Sequence, residues 1–161
     1  MQGVVVQVNV SGGGLPKRPV PGSLLTPLGF TGDSVAHPKI HGGPQKAVLL
    51  ITAEGVDELV ARGYPLFYGA LGENITTRGL DRHGLQPGMR LRVGEALIEL
   101  TKLRRPCNAL DVYGRSVKAE VFEKDSTPNH PAWGLAGLYA SVVEPGRVRP
   151  DDIICVVDRP L

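Results

Sequence analysis

The sequence predicts a mostly β, α+β domain whose short strands close, or nearly close, into a barrel carrying two or three short helices. Three observations support this. Apolar residues fall in short runs of strand length, and helical periodicity is confined to two brief segments. In addition, 21 glycines and 14 prolines among 161 residues punctuate the chain with turns. The length suits one hydrophobic core, so residues 1–161 read as a single domain.

Residues 4–10 combine β-branched side chains with alternation and form the first strand. Gly12-Gly13-Gly14 ends it, and Pro16 and Pro19 forbid helix in the segment that follows. Residues 46–51 are a continuous apolar run, the pattern of a strand buried on both faces. Thr52 then caps a helix with Glu54 in its first turn; Val56, Leu59 and Val60 form its apolar stripe, and Gly63 stops it. Pro87-Gly88 turns the chain into residues 89–93, whose apolar–basic alternation faces the arginines to water. Gly94-Glu95 joins that strand to residues 96–101 as a hairpin. Val117, Val121 and Phe122 predict a second short helix within residues 114–124. Residues 138–143 and 153–157, parted by the Pro145-Gly146 turn, are the last two strands.

Charge and composition exclude several classes. The formal charge is only +2, acids and bases are interspersed, and no basic stripe or zinc-finger spacing occurs, which argues against nucleic-acid binding. Residues 1–10 lack the basic and apolar regions of a signal peptide. No apolar run approaches the roughly 20 residues of a membrane helix. The two cysteines, Cys107 and Cys155, form no CxxC pair, as expected of a cytoplasmic protein with reduced thiols.

Polar residues collect in loops that a core does not require. The glycine run at 12–14 lacks the GK[ST] ending of a phosphate loop, yet its backbone N–H groups lie beside Lys17 and Arg18, where an anion could approach; a plain flexible turn is the alternative. The loop at 32–44 holds Asp33, His37 and His41. Pro38 and Gly42-Gly43-Pro44 keep the two histidines off one helical face and no third ligand is identifiable, so a hydrogen-bonding role for His41 is favoured over a metal site. The loop at 69–79 offers Glu73 and Asn74 as acceptor and amide, either to a ligand or to its own turns. The loop at 103–110 contains Arg104-Arg105-Pro106-Cys107. Proline holds this segment extended, and two nearby arginines would favour the thiolate, the nucleophilic and metal-binding form. Cys155, among isoleucines and valines, reads as a small apolar residue, so chemistry centres on Cys107.

Together these segments resemble the MOSC domain, named for the carboxy-terminal domain of molybdenum-cofactor sulfurases, and most closely its small stand-alone bacterial members. The resemblance rests on residues 14–20, 29–33, His41-Gly42-Gly43-Pro44-Gln45-Lys46-Ala47-Val48, Gly72-Glu73-Asn74-Ile75-Thr76-Thr77, 88–94, Arg105-Pro106-Cys107 and Gly137-Leu138-Tyr139-Ala140-Ser141-Val142 with Pro145-Gly146, in family order along nearly the whole chain. It implies a MOSC-like β-barrel and a site for sulfur or for molybdenum cofactor (molybdopterin). Cys107 would be the metal ligand or sulfur carrier, with His41 beside it as a candidate catalytic group. Lys17, Asp33, His41, Gly42, Gly43, Glu73, Asn74, Arg104 and Arg105 would line the cofactor pocket, the basic ones meeting the pterin phosphate. Pro150-Asp151-Asp152 departs from the glycine-aspartate turn the resemblance leads one to expect.

The leading expectation is a molybdenum-dependent oxidoreductase that reduces N-hydroxylated or otherwise N-oxygenated small molecules. No ferredoxin-type cysteine set is present, so electrons would come from a separate electron-transfer protein. The first alternative is a sulfur carrier in which Cys107 passes on persulfide sulfur. No pyridoxal-phosphate domain accompanies these motifs, so a cysteine desulfurase would supply that sulfur. The second alternative is a non-enzymatic anion- or pterin-binding module. Oligomeric state is open.

Overall fold

The barrel is closed by seven strands among the described residues. A computed structural model of the protein describes residues 1–34 and 42–161. Its strands are β1 (Gln2–Val10), β2 (Arg18–Val20), β3 (Ser23–Thr26), β4 (Gly29–Phe30), β5 (Val48–Thr52), β6 (Ile75–Arg78), β7 (Arg90–Val93), β8 (Ala96–Leu103), β9 (Leu138–Glu144), β10 (Gly146–Val148) and β11 (Ile153–Asp158). The helices are α1 (Ala53–Ala61) and α2 (Val117–Val121). The order β11-β7-β8-β9-β5-β6-β1 returns on itself through β1–β11 pairing, and β2 hangs on the far end of β1. Closure removes the exposed edges an open sheet would carry. A small sheet, β10-β3-β4, plugs one side and sends Leu25, Phe30 and Val148 into the barrel core.

The one parallel pair among the described residues, β5–β6, sets the crossover beside the site. A parallel connection needs a crossover, and α1 with the following loop supplies it on the outside of the barrel. Along β5, Val48 and Leu50 face the barrel interior, while Ile51 faces a second apolar cluster with Val56 and Leu59 of α1. Both faces are therefore covered, as the continuous apolar run predicts. Thr52 caps α1 by accepting a hydrogen bond from the Gly55 N–H at 3.2 Å.

Several expectations need correction. Val60 lies outside the apolar stripe of α1 and is 45 % exposed. The second helix stops at Val121 because Phe122 is extended. Residues 75–78, within the loop expected at 69–79, are strand β6; pairing with β1 and β5 outweighs their turn-like surroundings. The two- to four-residue strands β2, β3, β4 and β10 are too short to leave a periodic signal. Cys155 is half-buried on the outward face of β11 rather than in a core, between Ile153 and Val157, which are more than half exposed. At the altered turn, Asp151 takes the left-handed φ of 72° that a glycine would adopt without strain. No helix among the described residues is long and apolar enough to cross a membrane.

Candidate ligand-binding site

Beside the second apolar cluster, a cavity of about 490 Å³ opens on the outer face of β5 and β9. Leu49 and Tyr139, cross-strand partners in the β5–β9 register, form part of its wall. Around them lie the glycine turn before β2, the segment after β4, the turn before β5, the end of the 69–74 loop and the 104–109 segment. The size is that of a small-molecule site.

One wall is a closed polar network. Lys17 Nζ lies 2.6 and 2.7 Å from the two Asp33 carboxylate oxygens. Asp33 also accepts from the Ser11 backbone N–H at 2.9 Å and from Asn74 Nδ2 at 2.8 Å. Asn74 reaches further: its side-chain oxygen accepts from the Leu49 N–H of β5, and its Nδ2 donates to the Asn9 carbonyl of β1. Asn74 thus ties β1 and β5 to the cavity wall through one amide. Lys17, Asp33 and Asn74 all line the cavity, yet their polar atoms are largely spent on one another.

Glu73 lies beneath this wall rather than on it. It is fully buried, and its Oε1 accepts from the Gly69 N–H at 2.6 Å while Oε2 has no partner. Burial pushes its carboxyl up to about 7, opposed by the Gly69 hydrogen bond and, more weakly, by the Arg104 charge. Asn9 and Thr76 complete the network from the barrel strands.

The opposite wall carries Arg104, Cys107 and Tyr139. Arg104 is 4 % exposed; its Nη1 donates to the Ala136 carbonyl at 3.3 Å and its Nε has no partner. Burial lowers its pKa, while nearby Tyr139, Cys107 and Glu73 push it back up. Cys107 is half-buried, in extended conformation, at the start of the 3-10 turn Asn108–Tyr113. Burial raises the Tyr139 phenol, with Arg104 pulling the other way, so the hydroxyl keeps its proton at neutral pH. Lys46 borders the same space, its Nζ 5.5 Å from the centroid of the Tyr139 ring.

The structure thus brings Lys17, Asp33, Gly42, Gly43, Asn74, Arg104 and Cys107 to one cavity. It separates Arg105, whose guanidinium lies 5.8 Å over the Phe122 ring and lines no part of the cavity. Glu73 acts from behind. His37 and His41 lie outside the described residues. Tyr139, Leu49 and Lys46 join the site unanticipated. Tyr139 and Leu49 sit in apolar strands where only the barrel's curvature shows which face a ligand meets. Among the described residues, no three of His, Cys, Asp and Glu converge as a metal cluster.

Comparison with known proteins agrees with this architecture. The MOSC domain model matches residues 37–155. An uncharacterised Bacillus subtilis protein, YflK, is 36 % identical over 142 residues, covering 85 % of this chain and 60 % of its own length. Escherichia coli YiiM is 35 % identical over 142 residues, covering 84 % of this chain and 59 % of its own. The chain therefore spans about three-fifths of the length of these relatives. The crystal structure of E. coli YiiM superposes with a TM-score of 0.75 at 27 % identity, covering 99 % of this chain and 71 % of that one. A further solved structure, of a hypothetical protein, gives 0.76 at 28 % identity, covering 99 % of this chain and 70 % of that one. A barrel of this topology, a match over most of the chain and relatives above one-third identity make the chain a member of the MOSC domain family.

Proposed function

We propose that the cavity holds molybdenum cofactor with Cys107 as the protein's ligand to the metal, and that the protein reduces N-hydroxylated or otherwise N-oxygenated small molecules. The observation that carries this reading is the convergence of Cys107 and the buried Arg104 on one cavity. The residues suit the group. A thiolate is a soft ligand appropriate to a thiophilic metal. With no three-residue metal cluster among the described residues, the metal would take one protein ligand and its others from the pterin. Gly14, Gly42, Gly43 and Gly72 present bare backbone to the cavity, where a planar ligand can approach closely.

Molybdenum bound there supplies the two-electron step, N–OH plus two electrons and two protons giving N–H and water, with electrons from a separate redox protein. The chain's own residues bind and orient. Tyr139 offers a protonated hydroxyl as a hydrogen-bond donor. Leu15, Leu28 and Leu49 add apolar surface to the lining. The Lys17–Asp33–Asn74 network holds the wall in place.

The test is elemental analysis of protein expressed with molybdate, alongside reduction of an N-hydroxylated compound. Molybdenum in the wild type, lost in Cys107→Ser, is expected. No molybdenum in either, from a host that makes the cofactor, together with no reductase activity after loading, overturns the reading.

The accessible position of Cys107 also favours a second reading, sulfur transfer. The Cys107 thiolate attacks the terminal sulfur of a donor persulfide; that S–S bond breaks, the donor leaves as a thiol and Cys107 becomes the persulfide. Intact mass after incubation with a cysteine desulfurase and cysteine would then show one added sulfur, lost in Cys107→Ser; no adduct removes this reading.

A further inference from the structure

Reduction in the cavity draws its electrons from a separate protein, and that protein has to meet the surface beside Cys107. This surface is unusually apolar. The 3-10 turn Asn108–Tyr113 starts at Cys107, lends Ala109 to the cavity and ends on Val112 and Tyr113. Val112 is 74 % exposed. The Tyr113 ring meets Phe67 edge-on with centroids 6.5 Å apart, and Phe67 is itself 40 % exposed. Leu28 lines the cavity and yet is 81 % exposed. Single exposed apolar residues are ordinary, but these gather beside one opening, which marks an interaction surface.

The charges around it are of one sign. Residues 104–118 hold four basic side chains and one acidic, although the whole chain holds 18 and 16. The acid, Asp111, is already paired with Lys118 at 3.2 Å. Arg18 reaches the same patch, its guanidinium 5.3 Å over the Phe67 ring. Arg18, Arg105 and Arg115 are exposed, and none forms an ion pair among the described residues. Elsewhere on the surface Arg62, Arg78, Arg90 and Arg92 are each bound to a carboxylate. Of the next acids along the chain, Glu120 is held by Arg62 and Glu123 lies just past Phe122. An apolar centre thus carries a rim of uncompensated positive charge.

We propose that Phe67, Val112 and Tyr113, rimmed by Arg18, Arg105 and Arg115, form the docking surface for an acidic electron-transfer protein. The proposal rests on the reductase reading of the cavity. Short-lived redox complexes bury little surface, under about 1,200 Å² in all, so a patch of a few apolar residues suffices. Opposite charge on the donor raises the encounter rate and turns its acidic face towards the turn that carries Cys107. Such attraction is screened by salt and holds loosely, which lets a spent donor leave. Lipid headgroups and nucleic acids are anionic too, but the patch adjoins the cavity that consumes electrons, and only a redox protein supplies them.

The test uses the full chain from a host that makes no molybdenum cofactor. Two acidic donor proteins, a flavodoxin and a plant-type ferredoxin, are titrated into it by calorimetry. At least one should bind saturably at about 50 mM salt and about tenfold more weakly at about 200 mM. Arg18→Glu/Arg115→Glu should weaken that binding by about tenfold or more. Arg159→Glu, just beyond β11 and across the barrel ring from β5, should leave it unchanged. Should the double variant not fold, Val112→Asp carries the test, since it sets a like charge against the donor at an exposed position. Failure of both proteins to bind, or binding undiminished by these substitutions, overturns the proposal. Tighter binding to phosphatidylserine vesicles or to a single-stranded oligonucleotide also overturns it, by making the patch a lipid or nucleic-acid surface. With no cofactor in the assay, such a failure leaves the molybdenum analysis untouched, and a chain without molybdenum leaves the binding result intact.

Discussion

Lys17 and Asp33 form an ion pair of 2.6 Å with both side chains less than a tenth exposed, and this pair joins two segments that flank the cavity mouth. Removing one partner of a buried pair costs about 3–5 kcal/mol, because the other charge stays behind. Asp33→Ala would also strand the Asn74 amide and the Ser11 N–H. A loss of about 3 kcal/mol is expected in urea unfolding. The double variant Lys17→Met/Asp33→Leu should lose less than either single change.

Glu73 makes stability depend on pH in a definite direction. Its carboxyl is raised from 4.5 to about 7 in the folded protein, so the folded state holds this proton more tightly than the unfolded chain. Its contribution is full below about pH 4.5 and declines as pH rises towards 7, by about 3 kcal/mol in all. Glu73→Gln keeps an oxygen for the Gly69 N–H and never ionises. It should be more stable than the wild type at pH 8 and show a flatter profile between pH 5 and 8. A variant profile parallel to the wild type's would show that another group governs this window.

Gly69 should tolerate no side chain. Its φ is 99°, and a Cβ there would fall inside the Lys17 carbonyl oxygen, which accepts no displacement without moving the chain that feeds the cavity. The Gly69 carbonyl in turn accepts from the Lys17 N–H at 2.9 Å. Gly69→Ala is expected to cost more than about 2 kcal/mol. Denaturant unfolding measures the loss.

The two thiols are both half-buried but differ in surroundings. Cys107 lines the cavity, while Cys155 lies on the outer face of β11. Loading with molybdenum cofactor should slow iodoacetamide labelling of Cys107 about tenfold and leave Cys155 unchanged, as read by peptide mass spectrometry. Equal slowing of both would place the ligand elsewhere.

Much of this architecture is legible in local pattern. The alternation in β1, the doubly buried run of β5, the Thr52 cap and the Gly94-Glu95 hairpin all depend on residues close in the chain, whose periodicity and φ preferences act locally. Strand β6 was hidden because its Ile75-Thr76-Thr77-Arg78 run sits directly after a turn-rich loop, and only its partners β1 and β5 hold it extended. Of the site, composition and motif order single out Cys107, Lys17, Asp33 and Asn74, all of which reach the cavity wall.

What those local patterns could not assign is direction. Arg104 and Arg105 are adjacent and chemically equal, yet one is buried against the cavity and the other lies over Phe122, because successive residues in extended chain point to opposite sides. Tyr139 becomes a wall because β9 pairs with β5, some ninety residues away in sequence. Asn74 becomes a strut because the parallel crossover sets it between Leu49 and Asn9. Strand pattern and turns follow from the order of the residues, whereas the partners of each charge follow from barrel closure, which joins groups that no local preference connects.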